Sequence, residues 1–316
     1  MPQPAPRISV GVAGWSYPHW QESVYSVTRR RYTHALQFHA DRFHCIEINS
    51  SFYQPIKEEI AKFWMKAVSA NPDFRFTAKL HRQFTHDRSL DNSEVETFKA
   101  GLLPLHRGKK LGAVLMQFPW AFRFTPENQD FLIRLRRCFR EFPLVAEMRH
   151  SSWLAGEAQG TLLDYKIGFC NIDQPVYTSA MPPTAILTSG VGYVRLHGRN
   201  PQNSLGKFAN QNSASRSAQN DYLYSEAELA EWQTRVEKIS RFSDATFVIF
   251  NNDAQGKSVV NALQMQGLLT GSGNHGSVLP PSIDLKRRFP TAIETWGERR
   301  YEQPSLFNPS ETSNAA

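Results

Sequence analysis

The sequence predicts a single (β/α)8 barrel of the TIM-like kind, and three observations lead there. Short, near-continuous apolar runs alternate with amphipathic stretches, which is the pattern of a parallel sheet covered by helices. Eight such runs can be placed, and eight strands close a barrel; with their connections they fill residues 8–265, close to the roughly 250 residues typical of that fold. Charged and amide side chains gather at the C-terminal ends of the runs, where barrels of this kind carry their chemistry.

Each element has its own signal. Residues 8–14 (ISVGVAG) read as the first strand. Residues 31–43 follow as a helix, with Tyr32, Leu36, His39, Ala40 and Phe43 at helical spacing. Residues 44–50 (HCIEINS) make the second strand, and the next helix is expected to bury Ile60, Phe63, Trp64, Ala67 and Val68. Strands three and four are 74–80 (FRFTAKL) and 111–118 (LGAVLMQF). A helix turning Phe131, Leu132, Leu135, Cys138, Phe139 and Phe142 inward leads to strand five, which begins the stretch PLVAEMRHSSW at 143–153. Strands six and seven are 167–173 (IGFCNID) and 191–197 (VGYVRLH). Pro175, Pro182 and Pro183 lie between them, so this crossover is irregular and holds a short helix at best. Ser225 and Glu228 form a capping box for a helix over 226–241 with Leu229, Trp232, Val236 and Ile239 as its buried stripe. Strand eight is 245–251 (ATFVIFN).

Composition bounds the function classes. Of the 316 residues 41% are hydrophobic and 12% aromatic, enough for one large core. The net charge of +7 suits an anionic ligand or nucleic acid, and equally an ordinary basic surface. Cys45, Cys138 and Cys170 form no CxxC pair and read as free thiols in a reducing compartment. No segment reaches the ~18 apolar residues of a membrane span, and a cytoplasmic location is expected. Residues 1–7 are expected as a flexible leader and 266–316 as a disordered C-terminal tail. The Gly-, Asn- and Ser-rich stretch 198–221 reads as a long loop over the mouth, a lid or an insertion.

The polar strand ends are Glu47 and Asn49, Lys79 and His81, Gln117, Glu147 and Arg149, Asn171 and Asp173, Arg195 and His197, then Asn251 and Asp253. Partners on one strand are two residues apart and are expected on one face. Singly, each has a structural explanation: Lys79 neutralising Glu47, Arg149 pairing with Glu147, Arg195 with Asp173, His197 hydrogen-bonded in a core. Together they point to a ligand site. Glu47 and Glu147 suit a general acid and base. Lys79 suits a Schiff base if desolvated. Arg149 and Arg195 make a fork for phosphate or carboxylate. No cofactor is predicted; Glu147, Asp173 and His197 form an alternative set for a divalent metal, opposed by the two arginines and by the lack of a local ligand-spacing motif.

The motifs GVAGWSYPHW, IEINSSFYQP, FRFTAKLHRQFTH, MQFPWAF, VAEMRHSSW, YVRLHG and VIFNND occur in that order. Together they resemble the YecE-like family, domain of unknown function 72, over residues 8 to about 265. The resemblance implies a TIM-like barrel and supplies no reaction. Its pattern falls on Trp15, Glu47, Asn49, Phe52, Tyr53, Lys79, Thr85, His86, Gln117, Pro119, Glu147, Arg149, Trp153, Asp173, Arg195, His197, Gly198, Asn251 and Asn252. Ser26, where the family tends to have proline, and Asp253 depart from it.

The reading that follows is an enzyme acting on a small anionic or sugar-like substrate. Glu47 and Glu147 would transfer protons, with Lys79, His197 and Asp173 also in catalytic roles. Asn49, Tyr53, Gln117, Arg149, Arg195, Asn251 and Asn252 would hold the substrate. On this reading Glu147→Gln abolishes turnover and leaves the fold intact; a large loss of stability with activity spared would mark a structural lock instead. Two alternatives stand beside it. QPSLF at 303–307 resembles a peptide that docks on the replication sliding clamp through Gln303, Leu306 and Phe307, which suits a nucleic-acid-processing or repair-associated protein. A non-catalytic ligand-binding barrel is the other.

Overall fold

The computed structural model describes residues 8–25, 32–200, 221–270 and Phe289. Eight parallel strands close a barrel in sequence order, each hydrogen-bonded to the next and the last to the first. They are β1 (Ile8–Ala13), β2 (Cys45–Ile48), β3 (Arg75–Lys79), β4 (Leu111–Gln117), β5 (Leu144–Glu147), β6 (Gly168–Asp173), β7 (Val191–Leu196) and β8 (Ala245–Phe250). All eight fall within the runs read from the sequence. Around them lie α1 (Trp20–Ser23), α2 (Ala35–Ala40), α3 (Glu58–Ala67), α4 (Asn92–Arg107), α5 (Pro126–Cys138), α6 (Gly156–Asp164), α7 (Glu226–Ser240) and α8 (Lys257–Thr270).

The helices that the sequence announced carry strong local signals. His34 and Gln37 cap α2 reciprocally, Thr125 caps α5, and Ser225 with Glu228 caps α7. The stripe Leu229, Trp232, Val236 and Ile239 is buried as expected. Helices α1, α4, α6 and α8 had no counterpart in that reading, and α8 runs on to Thr270, five residues past 265. In α3 the buried face differs from the expected one. Ala61, Trp64 and Val68 turn inward, while Ile60 and Phe63 are 40% and 49% exposed. Trp64 sets that rotation by meeting Trp15 edge-on at 5.1 Å and stacking near Phe76.

Three buried tryptophans pin connections to the barrel through their indole N–H groups, which need partners once out of water. Trp20 donates to the Asp253 carbonyl at 2.8 Å, Trp153 to the Phe122 carbonyl at 2.7 Å and Trp232 to Asp173 Oδ2 at 2.8 Å. Gly101 of α4 has a packing role: a Cβ there would lie 2.0 Å from the Ile56 carbonyl oxygen.

The β6–β7 crossover is irregular, as the prolines require, and carries no helix. Asn171 organises it. Its Oδ1 accepts from the Ile186 amide and the Thr184 hydroxyl, both at 2.8 Å, and its Nδ2 donates to the Ile186 carbonyl at 2.9 Å. One side chain thus satisfies both backbone polar groups of Ile186, which no helix pairs. Residues 201–220 and the tail residues Gln303, Leu306 and Phe307 lie outside the described residues. Among the described residues no helix is long and apolar enough to cross a membrane.

Candidate functional site

At the C-terminal ends of the strands the barrel interior holds a salt-bridged knot. Arg195 of β7 is fully buried and bridges two carboxylates that are themselves wholly inaccessible. Its Nη2 lies 2.7 Å from Glu47 Oε1 and its Nη1 2.6 Å from Glu147 Oε2. Arg149 reaches the other oxygen of Glu147 at 2.5 Å. Beneath them the Tyr193 hydroxyl is 3.0 Å from Glu47 Oε2 and 2.8 Å from Thr77 Oγ1. Buried charges persist only when paired and hydrogen-bonded, and here each carboxylate is.

This arrangement corrects the expected pairs. Arg195 binds Glu47 and Glu147, not Asp173, so both its terminal nitrogens are committed to protein carboxylates rather than to a substrate anion. Lys79 does not neutralise Glu47: its Nζ donates to Gln117 Oε1 at 2.7 Å and lies 4.3 Å from the Phe52 ring centre.

Above the knot sits a layer nearer solvent. It contains Lys79 with Gln117, then Arg149, His197 and Asn251, then Asn49 with Tyr17. Arg149 is 21% exposed and donates to Gln174 Oε1 at 3.1 Å. The His197 ring lies between Asn251 Nδ2 (3.0 Å) and both Arg149 Nη2 (3.1 Å) and Glu147 Oε1 (3.4 Å). Asn49 donates to the Tyr17 hydroxyl at 3.3 Å. Tyr53 stands at the rim, 54% exposed against Phe52.

Asp173 and Asn252 are not part of this layer. Asp173 points away from the knot and is held by Arg199 Nε at 2.9 Å and by Trp232 of α7. Cys170 is the β6 side chain that feels the charges of Glu147 and Arg195. Asn171 and Asp173 have the opposite parity, so their pair faces the crossover and α7. Asn252 is buried against α8, donating to Asn261 Oδ1 and to the Tyr222 carbonyl, both at 2.8 Å. The metal set Glu147, Asp173 and His197 is therefore not assembled, and Glu147 is flanked by two guanidiniums that would repel a cation. Among the described residues no group of three or more His, Cys, Asp or Glu side chains is placed to hold a metal.

The electrostatics follow from burial and from these pairs. Burial alone would raise the Glu147 pKa, but Arg149 and Arg195 outweigh it and hold the carboxyl well below the usual carboxylate range. Burial would lower Arg195, and Glu147 and Glu47 raise it well above its ordinary value instead. Burial, with the Arg149 charge beside it, pushes His197 down to about 3, so its ring is neutral at pH 7. Burial first, then the Arg195 guanidinium, push Lys79 down to about 7, against the pull of both glutamates. Burial, with the neighbouring Lys79, takes His86 to about 4. Glu47 and Glu147 are thus matched by Arg195 and Arg149, and Lys79 stands beside the four with the neutral Gln117 as its hydrogen-bond partner.

Sequence reasoning missed Tyr17, Thr77 and Tyr193. The last had a readable signal, since Tyr193, Arg195 and His197 are successive same-face positions on one strand. Tyr17 lies in a connection, and no periodicity marks it.

The fold recurs in known proteins. The chain is 27% identical over 292 residues to the UPF0759 protein YunF of Bacillus subtilis, covering 88% of this chain and 99% of YunF. It is 30% identical over 160 residues to the UPF0759 protein YecE of Escherichia coli, covering 49% of this chain and 53% of YecE. A crystal structure of a DUF72 family protein from Thermotoga maritima superposes with a TM-score of 0.72 at 28% identity, covering 83% of this chain and 99% of that one. One from Enterococcus faecalis gives 0.72 at 25% identity, covering 87% and 99%. The model of the protein family of unknown function DUF72 matches residues 9–283, nearly all of the chain that forms the barrel, and the chain belongs to that family.

Proposed function

We propose that the barrel mouth binds and transforms a small anionic or sugar-like substrate, with Lys79 as the group that exchanges a proton with it. The observation that carries this reading is the state of Lys79. Its amine is half-buried at a strand end, its hydrogen-bond partner is the neutral Gln117, and burial with the nearby arginines brings its pKa to about 7. A group poised near the ambient pH serves as acid and as base.

The division of labour differs from the one expected of two carboxylates. Glu47 and Glu147 are wholly inaccessible and bound on both oxygens by cations or hydroxyls, which suits them to orient Arg195 and Arg149 rather than to meet a substrate. Arg149, partly exposed, is the side chain fitted to an anion. Asn49, Gln117, Asn251 and neutral His197 offer uncharged partners for hydroxyls.

A thermal-shift screen of small phosphorylated, carboxylated and sugar-like compounds tests the reading, with each hit then checked for chemical change. Hits that stabilise the native chain, fail to stabilise Lys79→Met and Arg149→Met, and are converted by the native chain support it. Hits that stabilise all three proteins equally overturn the site. Hits that depend on Lys79 and are recovered unchanged overturn the enzyme and leave a binding barrel.

A further inference from the structure

We propose that Lys79 is a nucleophile, and that the substrate class is a small carbonyl acid: its aldehyde or ketone carbon condenses with Lys79 Nζ while its carboxylate is taken by Arg149. The inference rests on the mouth being the working site and says what kind of molecule works there.

Four observations converge on the amine. Lys79 Nζ is held at a strand end by Gln117 Oε1 at 2.7 Å and by the face of Phe52 at 4.3 Å, so it is positioned rather than free to sweep the solvent. Among the described residues no carboxylate pairs with it, because Glu47 and Glu147 are committed to Arg195 and Arg149. A lysine placed only for structure would be expected to carry one of those carboxylates. Two guanidiniums lie near enough for their charge to disfavour the ammonium, which enlarges the share of free amine at neutral pH. Finally, Phe52 packs edge-on with His86 at 5.2 Å, and that ring is neutral, so the wall beside the amine adds no second cation.

The anion end is equally defined. Arg149 spends Nη1 on Gln174 and Nη2 on Glu147, and its Nε has no hydrogen-bond partner among the described residues. An unpaired guanidinium donor out of water costs free energy until an acceptor arrives.

The condensation balances without any other reagent. Starting from the ammonium form, the new bond is Nζ to the carbonyl carbon, and the carbon–oxygen double bond is lost. The oxygen departs as water with two of the three ammonium protons, and the iminium keeps the single positive charge. Phe52 faces that charge before and after the step, so its attraction for the cation is retained.

The test is reductive trapping on the full chain. The protein is incubated with glyoxylate or, separately, pyruvate, reduced with sodium cyanoborohydride, digested and mapped by mass spectrometry. The expected result is a carboxymethyl or 1-carboxyethyl adduct on Lys79, at least about tenfold above any other lysine, forming faster as the pH rises through 7 and slower in Arg149→Met. Lys79→Arg serves as the second variant, keeping charge and bulk while losing the adduct. Adducts spread evenly over the lysines, or an unlabelled Lys79, overturn the nucleophile. If Lys79 stays unlabelled while Lys79→Met still removes the ligand-dependent thermal shift, the proton-transfer reading stands without this one. If the shift is also indifferent to Lys79→Met, both fall.

Discussion

Replacing Arg195 by methionine removes the common counter-ion of two carboxylates that have no access to water. Breaking a buried ion pair by deleting one partner costs about 3–5 kcal/mol, because the other charge is left uncompensated. Glu147 keeps Arg149, whereas Glu47 keeps only the Tyr193 hydroxyl, so Glu47 bears most of the loss. A domain of this size loses about 2–4 °C in Tm per kcal/mol, which places the expected drop at roughly 6–20 °C at pH 7.5. The pH dependence provides the sharper reading. In the native chain Glu147 titrates below its unfolded value, so its share of stability is present above about pH 4.3 and is lost as the pH falls through the folded pKa. In Arg195→Met a buried carboxylate without its cation takes up a proton more readily than the unfolded chain does, so the variant regains stability as the pH falls toward 5. Thermal melts by circular dichroism from pH 5 to 8 decide the matter. A variant that melts within about 2 °C of the native chain at pH 7.5, or whose deficit is the same at pH 5 as at pH 8, refutes the account of the knot.

Three further outcomes follow from the same geometry. Lys79 titrates at about 7 in the folded chain and near ~10.4 when unfolded, so between these values the unfolded chain holds more protons and stability rises with pH; urea melts of Lys79→Met should show a flatter rise from pH 7 to 10. His39 is fully buried, bonded to the Tyr25 hydroxyl and pushed by burial to about 3, so the native chain loses stability as the pH falls from ~6.5 toward that value; His39→Gln should lose less over that window, at some cost at neutral pH. Asp173→Asn should destabilise by about 1–3 kcal/mol through the weakened contacts to Arg199 and Trp232, while thermal-shift responses to mouth ligands stay as in the native chain; loss of those responses would return Asp173 to the site.

Much of the barrel was legible because its signals are local. Each strand is a run of neighbours, and a capping box such as Ser225 with Glu228 spans a single turn. Helices α4, α6 and α8 were less legible. Pro104 sits inside α4, α6 holds Gly160 within its nine residues, and α8 is buried over much of its surface, so no clean polar–apolar stripe marks it. The rotation of α3 was misread because Ile60 and Phe63 are apolar yet outward, and only the meeting of Trp64 with Trp15 and Phe76 decides between the two faces.

What the sequence determined by itself was the eight strands, their closure into a barrel and the end of it that gathers polar residues. Tertiary structure alone decided which of those residues meet. Strand β6 is buried on both faces, so no alternation reveals whether Cys170 or Asn171 looks inward, and a one-residue change of parity moves Asp173 from the mouth to α7. Arg195 finds Glu47 across 148 positions of chain and Glu147 across 48. Hydrophobic periodicity is set by neighbours a few residues apart, whereas the pairing of charges is set by the closed sheet that carries them, and it is that pairing which joins both glutamates to Arg195 and, among the described residues, leaves Lys79 with no carboxylate in an ion pair.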